Sequence, residues 1–334
     1  MSIQPDRLTD CLASWARAHF GPDALVTEVA RMPGHSSYTF GFRVDADGGI
    51  HRLVLRTPAN RTRRQADALV RQIPLLRMLT RRGIPVPPVR DGGPGPTWFG
   101  GPYTIVDRMP GSTWGDAMAD SEAAGPTNRT ALFEQAVDTL AAVHAVDVRA
   151  ELPDWGESLS GTEMADRWRD MLERYADGDS ARQGREVHRA LHRRLPKRVE
   201  GLVHGDFYSN NWLFDGSRLS AVLDWEAAHI GPPAADLGWL AMMYDPESWD
   251  VSCRPDLKLS PEPEKLLERY EATIGAAVAD LRWYRALAGF RLAALTAYFV
   301  AHHRDGTRPD PVWETVNRSA PHMLARAAQV ARSR

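Results

Sequence analysis

The sequence predicts an α+β protein of two lobes, a small one built on an antiparallel sheet and a larger one that is mostly helical. Three observations predict it. The chain has 334 residues, more than one hydrophobic core usually serves. Near the N-terminus apolar residues alternate with a period of two, in two runs that flank a turn. From about residue 129 the period becomes helical, broken by a single short strand pair. Strands gathered at one end and helices at the other indicate α+β rather than alternating α/β.

Leu8, Cys11, Leu12, Trp15 and Ala16 recur at helical spacing and predict a helix over 7–20. Tyr38, Phe40, Phe42 and Val44 alternate as in a half-buried strand, Asp45–Gly49 reads as a turn, and Ile50–Arg56 as the returning strand. An Arg-rich helix follows over 61–82, with Pro74 either starting or kinking it. Gly83–Val89 is extended, Gly92–Gly101 a loop, and Pro102–Met109 a strand. Helices are expected near 129–148, 162–176, 181–195, 235–244, 262–279, 281–303 and 312–331. In that half the strand-like segments are Trp212–Asp215 and Ser220–Trp225, joined at Asp215-Gly216. The expected division is 1–106, a connector at 107–111, and 112–334, with a cleft between lobes as the default ligand site.

Bulk composition narrows the function. A content of 43% apolar and 25% charged residues is that of an ordinary globular protein. A formal charge of -2 supports neither nucleic-acid binding nor a polybasic membrane surface. Two cysteines, Cys11 and Cys253, make no disulfide framework and suit a reducing compartment. The N-terminus lacks a secretory pattern, and the longest apolar runs fall short of the roughly 20 residues of a membrane span. A cytoplasmic protein is expected; its oligomeric state is left open. Basic charge is almost all Arg: Lys197, Lys258 and Lys265 are the lysines.

The chemistry concentrates after residue 203. His204-Gly205-Asp206 is followed five residues later by Asn211, and then by Asp224 at the end of an apolar run. A hairpin of Trp212–Asp215 with the run before Asp224 would bring Asn211 and Asp224 together. An Asn carbonyl and a carboxylate are hard oxygen donors suited to Mg²⁺. Asp206 would then be free to accept a proton from an attacking hydroxyl. Such a set meets the needs of phosphoryl transfer. A bare His-Gly-Asp is as readily a polar turn; the whole constellation is more specific.

The stretches 202–214 (LVHGDFYSNNWLF) and 221–240 (AVLDWEAAHIGPPAADLGWL) resemble the signature of the aminoglycoside phosphotransferase family. That group of small-molecule kinases includes choline kinases and macrolide phosphotransferases and has a protein-kinase-like fold. The resemblance covers about residues 25 to 305. It implies that Asp206 is the catalytic aspartate, Asn211 and Asp224 the metal ligands, His204 a support of the catalytic loop and Asp236 its brace from the next helix. Glu226 often accompanies the second ligand. In the first lobe, residues 33–40 resemble the family's phosphate loop, with Gly34, Ser36 and Ser37 as candidates. Val106 to Arg108 match the segment whose backbone binds the adenine edge. The implied cofactors are ATP or GTP with Mg²⁺, and the implied partner is a small-molecule hydroxyl.

The sequence departs from the family pattern at Pro232, a loop position where the family often has Asp, and at two positions that bear on the phosphates. Arg56 stands where most such kinases carry Lys, and Gln72 where the helix usually offers Glu. Arg can grip phosphate bidentately, whereas Gln can hydrogen-bond Arg56 without neutralising it. The acceptor is not fixed by the sequence. Acidic residues crowd 151–179, which suits either a cationic substrate or a solvated face. Glu247 and Asp250 follow the bracing helix and are candidates for substrate contact. Arg291 could pair with a substrate carboxylate or with an acid in the core. Trp168 and Trp239, among others, are read as core or pocket walls. Two functions are therefore carried: a kinase of a small-molecule hydroxyl, and a non-catalytic nucleotide-binding module of the same fold.

Overall fold

The computed structural model describes residues 5–32, 37–58, 62–114, 126–253 and 262–333. The chain divides into two compact units. The first holds Met1–Ser112 with Leu213–Asp215 and Leu219–Glu226; the second holds Thr113–Trp212, Gly216–Arg218 and Ala227–Arg334.

The first unit is built on a five-stranded sheet of β1 (Leu25–Met32), β2 (Ser37–Ala46), β3 (Gly49–Pro58), β4 (Val89–Gly93) and β5 (Tyr103–Asp107), in the order β1-β2-β3-β5-β4. Ala46 pairs with Gly49, so Asp47-Gly48 forms the two-residue loop that Asp-Gly favours. Alternation sorts β3: Leu53 and Leu55 are fully buried on one face, while Val54 and Arg56 lie on the other. Helix Pro5–Phe20 lays Leu8, Leu12, Trp15 and Ala16 against Phe42, Val44, Leu53 and Leu55, each large side chain contributing roughly 1.5–3 kcal/mol. β4 departs from expectation, because its end falls where Gly92-Gly93 signals a loop. Asp91 anchors it, accepting from Trp15 Nε1 and Tyr103 Oη at 2.7 Å each.

Helix Arg63–Arg81 starts at a Thr62 cap and runs through Pro74, which is exposed. The proline therefore sits on the solvent side and neither starts nor ends the helix. The segments after residue 212 add β8 (Trp212–Asp215) and β9 (Arg218–Val222), which form a three-stranded sheet with β6 (Ser112–Thr113) in the order β6-β8-β9. Val222 N donates to Pro85 O at 2.8 Å, and Ser220 Oγ to Pro110 O at 2.6 Å.

The second unit is helical around a core that includes Trp168, Leu172, Val187, Leu191, Trp239, Met242, Leu287, Phe290 and Met323. Two long helical expectations break. The run over 129–148 becomes Pro126–His144 and Val148–Glu151, because Asp147 caps Ala150 N and restarts the chain. The run over 312–331 becomes Val312–Asn317 and Ala320–Arg332, and at the break Ser319 turns its buried hydroxyl to Asp250 N. A two-stranded sheet, β7 (Gly201–Val203) with β10 (His229–Gly231), escaped notice because three residues are too few to show a period. The acids of 151–179 are largely committed to structure. Glu163 closes a capping box with Ser160, Asp177 caps the next helix, and Asp166 binds His188, His192 and Arg169. Among the described residues no helix is long and apolar enough to cross a membrane.

Candidate active site

The loop after β7 is fixed from below. Gly205 has φ +82, and a Cβ there would lie 2.5 Å from Ala227 O, so both conformation and space demand glycine. Asp236, fully buried in the first turn of helix Ala234–Met243, accepts from His204 N at 2.7 Å and Gly205 N at 2.8 Å. His144 Nε2 lies 3.1 Å from the same carboxylate and His144 Nδ1 2.8 Å from Tyr270 Oη. Burial works to raise the Asp236 pKa. The hydrogen bonds from His144 and from the Gly205 amide outweigh it, holding the carboxyl below its ordinary value. The helix carrying Asp236 reaches its place because Gly238 crosses helix Leu281–Arg304 closely: a Cβ at 238 would be 2.4 Å from Tyr284 C.

This brace positions Asp206. Its amide donates to Nδ1 of the fully buried His204 at 3.1 Å. Asn211 Nδ2 donates to Asp206 O at 2.8 Å and to Asp206 Oδ2 at 3.1 Å. Asn210 is exposed and bonds Tyr208 Oη instead. With its amide nitrogen engaged, Asn211 has its carbonyl oxygen as the donor for a ligand.

In the first unit Arg56 is the hub. Its Nε donates to Ser37 Oγ at 3.3 Å and its NH1 to Gln72 Oε1 at 3.4 Å. Its NH2 stands 3.6 Å from Asp224 and 3.9 Å from Glu226. Gln72 is buried and bound back to Ala68 O at 3.0 Å. Asp224 adopts φ +60, a left-handed conformation unfavourable for a residue with a Cβ. Its Oδ1 is buried without a hydrogen-bond partner. Strain coincides at this residue with a carboxylate oxygen that faces Arg56 but accepts no hydrogen bond, a combination that fits a hard cation. Gly34 and Ser36 lie outside the described residues. Val106 is buried in β5. The amides of Asp107 and Arg108 donate to Pro88 O and Arg52 O. The N–H groups of Asp107 and Arg108 are thus already engaged.

The acceptor candidates separate. Glu247 pairs with Arg326, and Asp250 accepts from Ser252 N at 2.9 Å, so both have local partners. Glu226, set down among them, stands beside Arg56 instead. Arg291 is half-buried, with its guanidinium 4.3 Å from the Trp239 ring centroid and 5.5 Å from that of Trp168. The core acid that the sequence allowed as its partner is not found among the described residues. Sequence reasoning missed His144 and Tyr270, which complete the Asp236 brace, and Asp245, which binds Arg285 and Arg326. These residues are dispersed over the chain, and no local motif joins them.

The pattern of the phosphotransferase enzyme family matches residues 32–287. The chain belongs to that family. Among the family's relatives, viomycin phosphotransferase of Streptomyces vinaceus is 32% identical over 60% of this chain and 70% of its own length. Acyl-CoA dehydrogenase family member 10 of Mus musculus is 28% identical over 78% of this chain, but that match spans only 25% of the mouse protein. The chain thus covers about a quarter of that relative. A Ralstonia eutropha protein described as an aminoglycoside phosphotransferase shares the fold, with a TM-score of 0.81 at 23% identity over 97% of this chain and 98% of its own. A thermostable aminoglycoside phosphotransferase in ternary complex with ADP and hygromycin B gives 0.61 at 20% identity over 96% and 98%. The two-lobed α+β expectation, with its antiparallel-sheet lobe and helical lobe, agrees with this family fold.

Proposed function

We propose that this phosphotransferase moves the γ-phosphoryl group of ATP or GTP to a hydroxyl of a small molecule. The observation that carries the reading is the fixed state of Asp206. Its amide is bonded to His204, its carboxylate to Asn211, and its loop to Asp236. A carboxylate so held can orient a hydroxyl and take its proton as the phosphoryl group leaves the nucleotide. Asn211 and Asp224 supply oxygens for Mg²⁺, which when bound offsets charge on the phosphates. Arg56, placed by Ser37 and Gln72, grips phosphate oxygens, and the segment with Gly34, Ser36 and Ser37 covers them. Nucleotide binding belongs to residues 1–106, catalysis to 112–334, and the chain works in the cytoplasm. Ternary complexes of a related fold with ADP and hygromycin B support a nucleotide and a small hydroxyl compound as ligands.

The test is Asp206→Ala. Turnover disappears while Mg-nucleotide binding, followed by thermal shift, persists. Full activity in the variant overturns the reading. The neutral Gln72 beside Arg56 favours a second reading, a nucleotide-binding module without catalysis. Slow Mg-dependent ATP hydrolysis without acceptor, lost in Asp206→Ala, excludes it.

A further inference from the structure

We infer that the acceptor carries, besides its hydroxyl, an anionic oxygen group of carboxylate or phosphate type, and that Arg291 receives it. The inference rests on the kinase reading and names the acceptor class for that site.

Four observations converge on Arg291. First, its guanidinium is held in place by the rings of Trp239 and Trp168, a seat that orients the planar fork without using its donors. Second, Nε is buried with no hydrogen-bond partner, and no salt bridge to the side chain occurs among the described residues. Arg285 also has a buried Nε without a hydrogen-bond partner, but it and Arg326 both pair with Asp245, at 2.8 and 2.7 Å. Third, a second guanidinium, Arg167, lies over the same Trp168 ring at 5.0 Å, and its charge acts against that of Arg291. Two guanidinium groups thus share one aromatic wall. Fourth, Asp206 and Asp236 are the carboxylates whose charge reaches Arg291. Asp236 is spent on two amides and His144, and Asp206 is held by Asn211. A guanidinium whose Nε meets no acceptor among the described residues, within the field of the proposed base, suits the far end of the molecule whose hydroxyl that base orients.

The remaining charge pattern agrees. Most of the acids of 151–179 that would recognise a polycation are committed to caps and ion pairs. Hydroxy acids and phosphorylated alcohols therefore fit better than cationic antibiotics.

The experiment measures Asp206-dependent consumption of Mg-ATP and Mg-GTP with matched acceptors. Glycerate and 3-hydroxybutyrate are each set beside their methyl esters; glycerol 3-phosphate is set beside glycerol; choline and hygromycin B form the cationic arm. The expected result is turnover with one of the acids or with glycerol 3-phosphate. Its acceptor KM rises at least tenfold on removal of the charge and in Arg291→Gln, and Arg291→Lys recovers part of the loss while nucleotide KM holds. The carboxylate and phosphate arms distinguish the two sources of anion. Turnover with choline, hygromycin B or an ester that Arg291→Gln leaves intact overturns the inference and keeps the kinase reading. If no acceptor turns over, tryptophan fluorescence decides. A saturable quench by glycerate or glycerol 3-phosphate, lost in Arg291→Gln, supports the anion site while the kinase reading fails; no saturable quench in the wild-type chain overturns the anion site.

Discussion

The guanidinium of Arg56 stands 3.6 Å from the carboxylate of Asp224, so its counter-charge comes from the segment after β9 and not from helix Arg63–Arg81, which offers it neutral Gln72. Arg56 uses three separate nitrogens on Ser37, Gln72 and Asp224, a division that a single ammonium reproduces poorly. Arg56→Lys is expected to raise nucleotide KM, and Arg56→Met to raise it further. Hydrogen bonds to charged groups contribute about 1.5–3 kcal/mol, so the larger effect is on the order of 10- to 100-fold. Steady-state kinetics with varied ATP and GTP check the order.

Asp224 sets stability against chemistry. Its left-handed backbone costs roughly 1–2 kcal/mol, which glycine avoids. Asp224→Gly is expected to melt at or above the wild-type temperature, whereas Asp224→Ala, which keeps a Cβ in that conformation, melts lower than the glycine variant. Both lose Mg-dependent turnover. Paired thermal melts and activity assays read the two effects, and a glycine variant less stable than the alanine one refutes the strain argument.

Asp236 gives the fold a pH dependence. Its carboxyl pKa is lowered in the folded chain, so the stabilisation is present above the ordinary carboxylate value and is lost as pH falls through the lower folded-state value. Asp236→Asn leaves the amides of His204 and Gly205 and the ring of His144 facing a weaker partner. The expected loss is about 2–4 kcal/mol near neutral pH. Denaturant titrations from neutral pH into acid should show a shallower acid slope in the variant.

Gly238 tests the helix crossing that delivers Asp236. A methyl group there meets the backbone of Tyr284 and Arg285 rather than a movable side chain. Gly238→Ala is expected to cost about 1–3 kcal/mol by overpacking and to lower kcat with little change in nucleotide KM. An alanine variant with wild-type stability rules out the tight crossing.

Much of this was legible because it is local. Tyr38 to Val44 and Asp47-Gly48 declare a hairpin by period and turn chemistry. His204, Gly205, Asp206 and Asn211 fall within eight residues, so their bonds follow from one short loop. What escaped depends on long separations or on competing caps. His144 and Asp236 are 92 residues apart. Asp245 gathers Arg285 and Arg326 from two later helices. The break at Ser319 depends on Asp250, 69 residues earlier. That Arg291 meets rings and no carboxylate among the described residues could not be read at all, since a missing partner leaves no mark on the sequence.

The membership of Leu213–Asp215 and Leu219–Glu226 in the first unit bears on how the chain matures. During synthesis the sheet of residues 25–107 emerges early, but the strands that bond Pro85 and Pro110 arrive more than a hundred residues later. Translation must therefore run through Glu226 before the first unit is whole. A fragment ending at Ser112 lacks an edge of its own unit, and a nascent chain paused there is a natural client for chaperones.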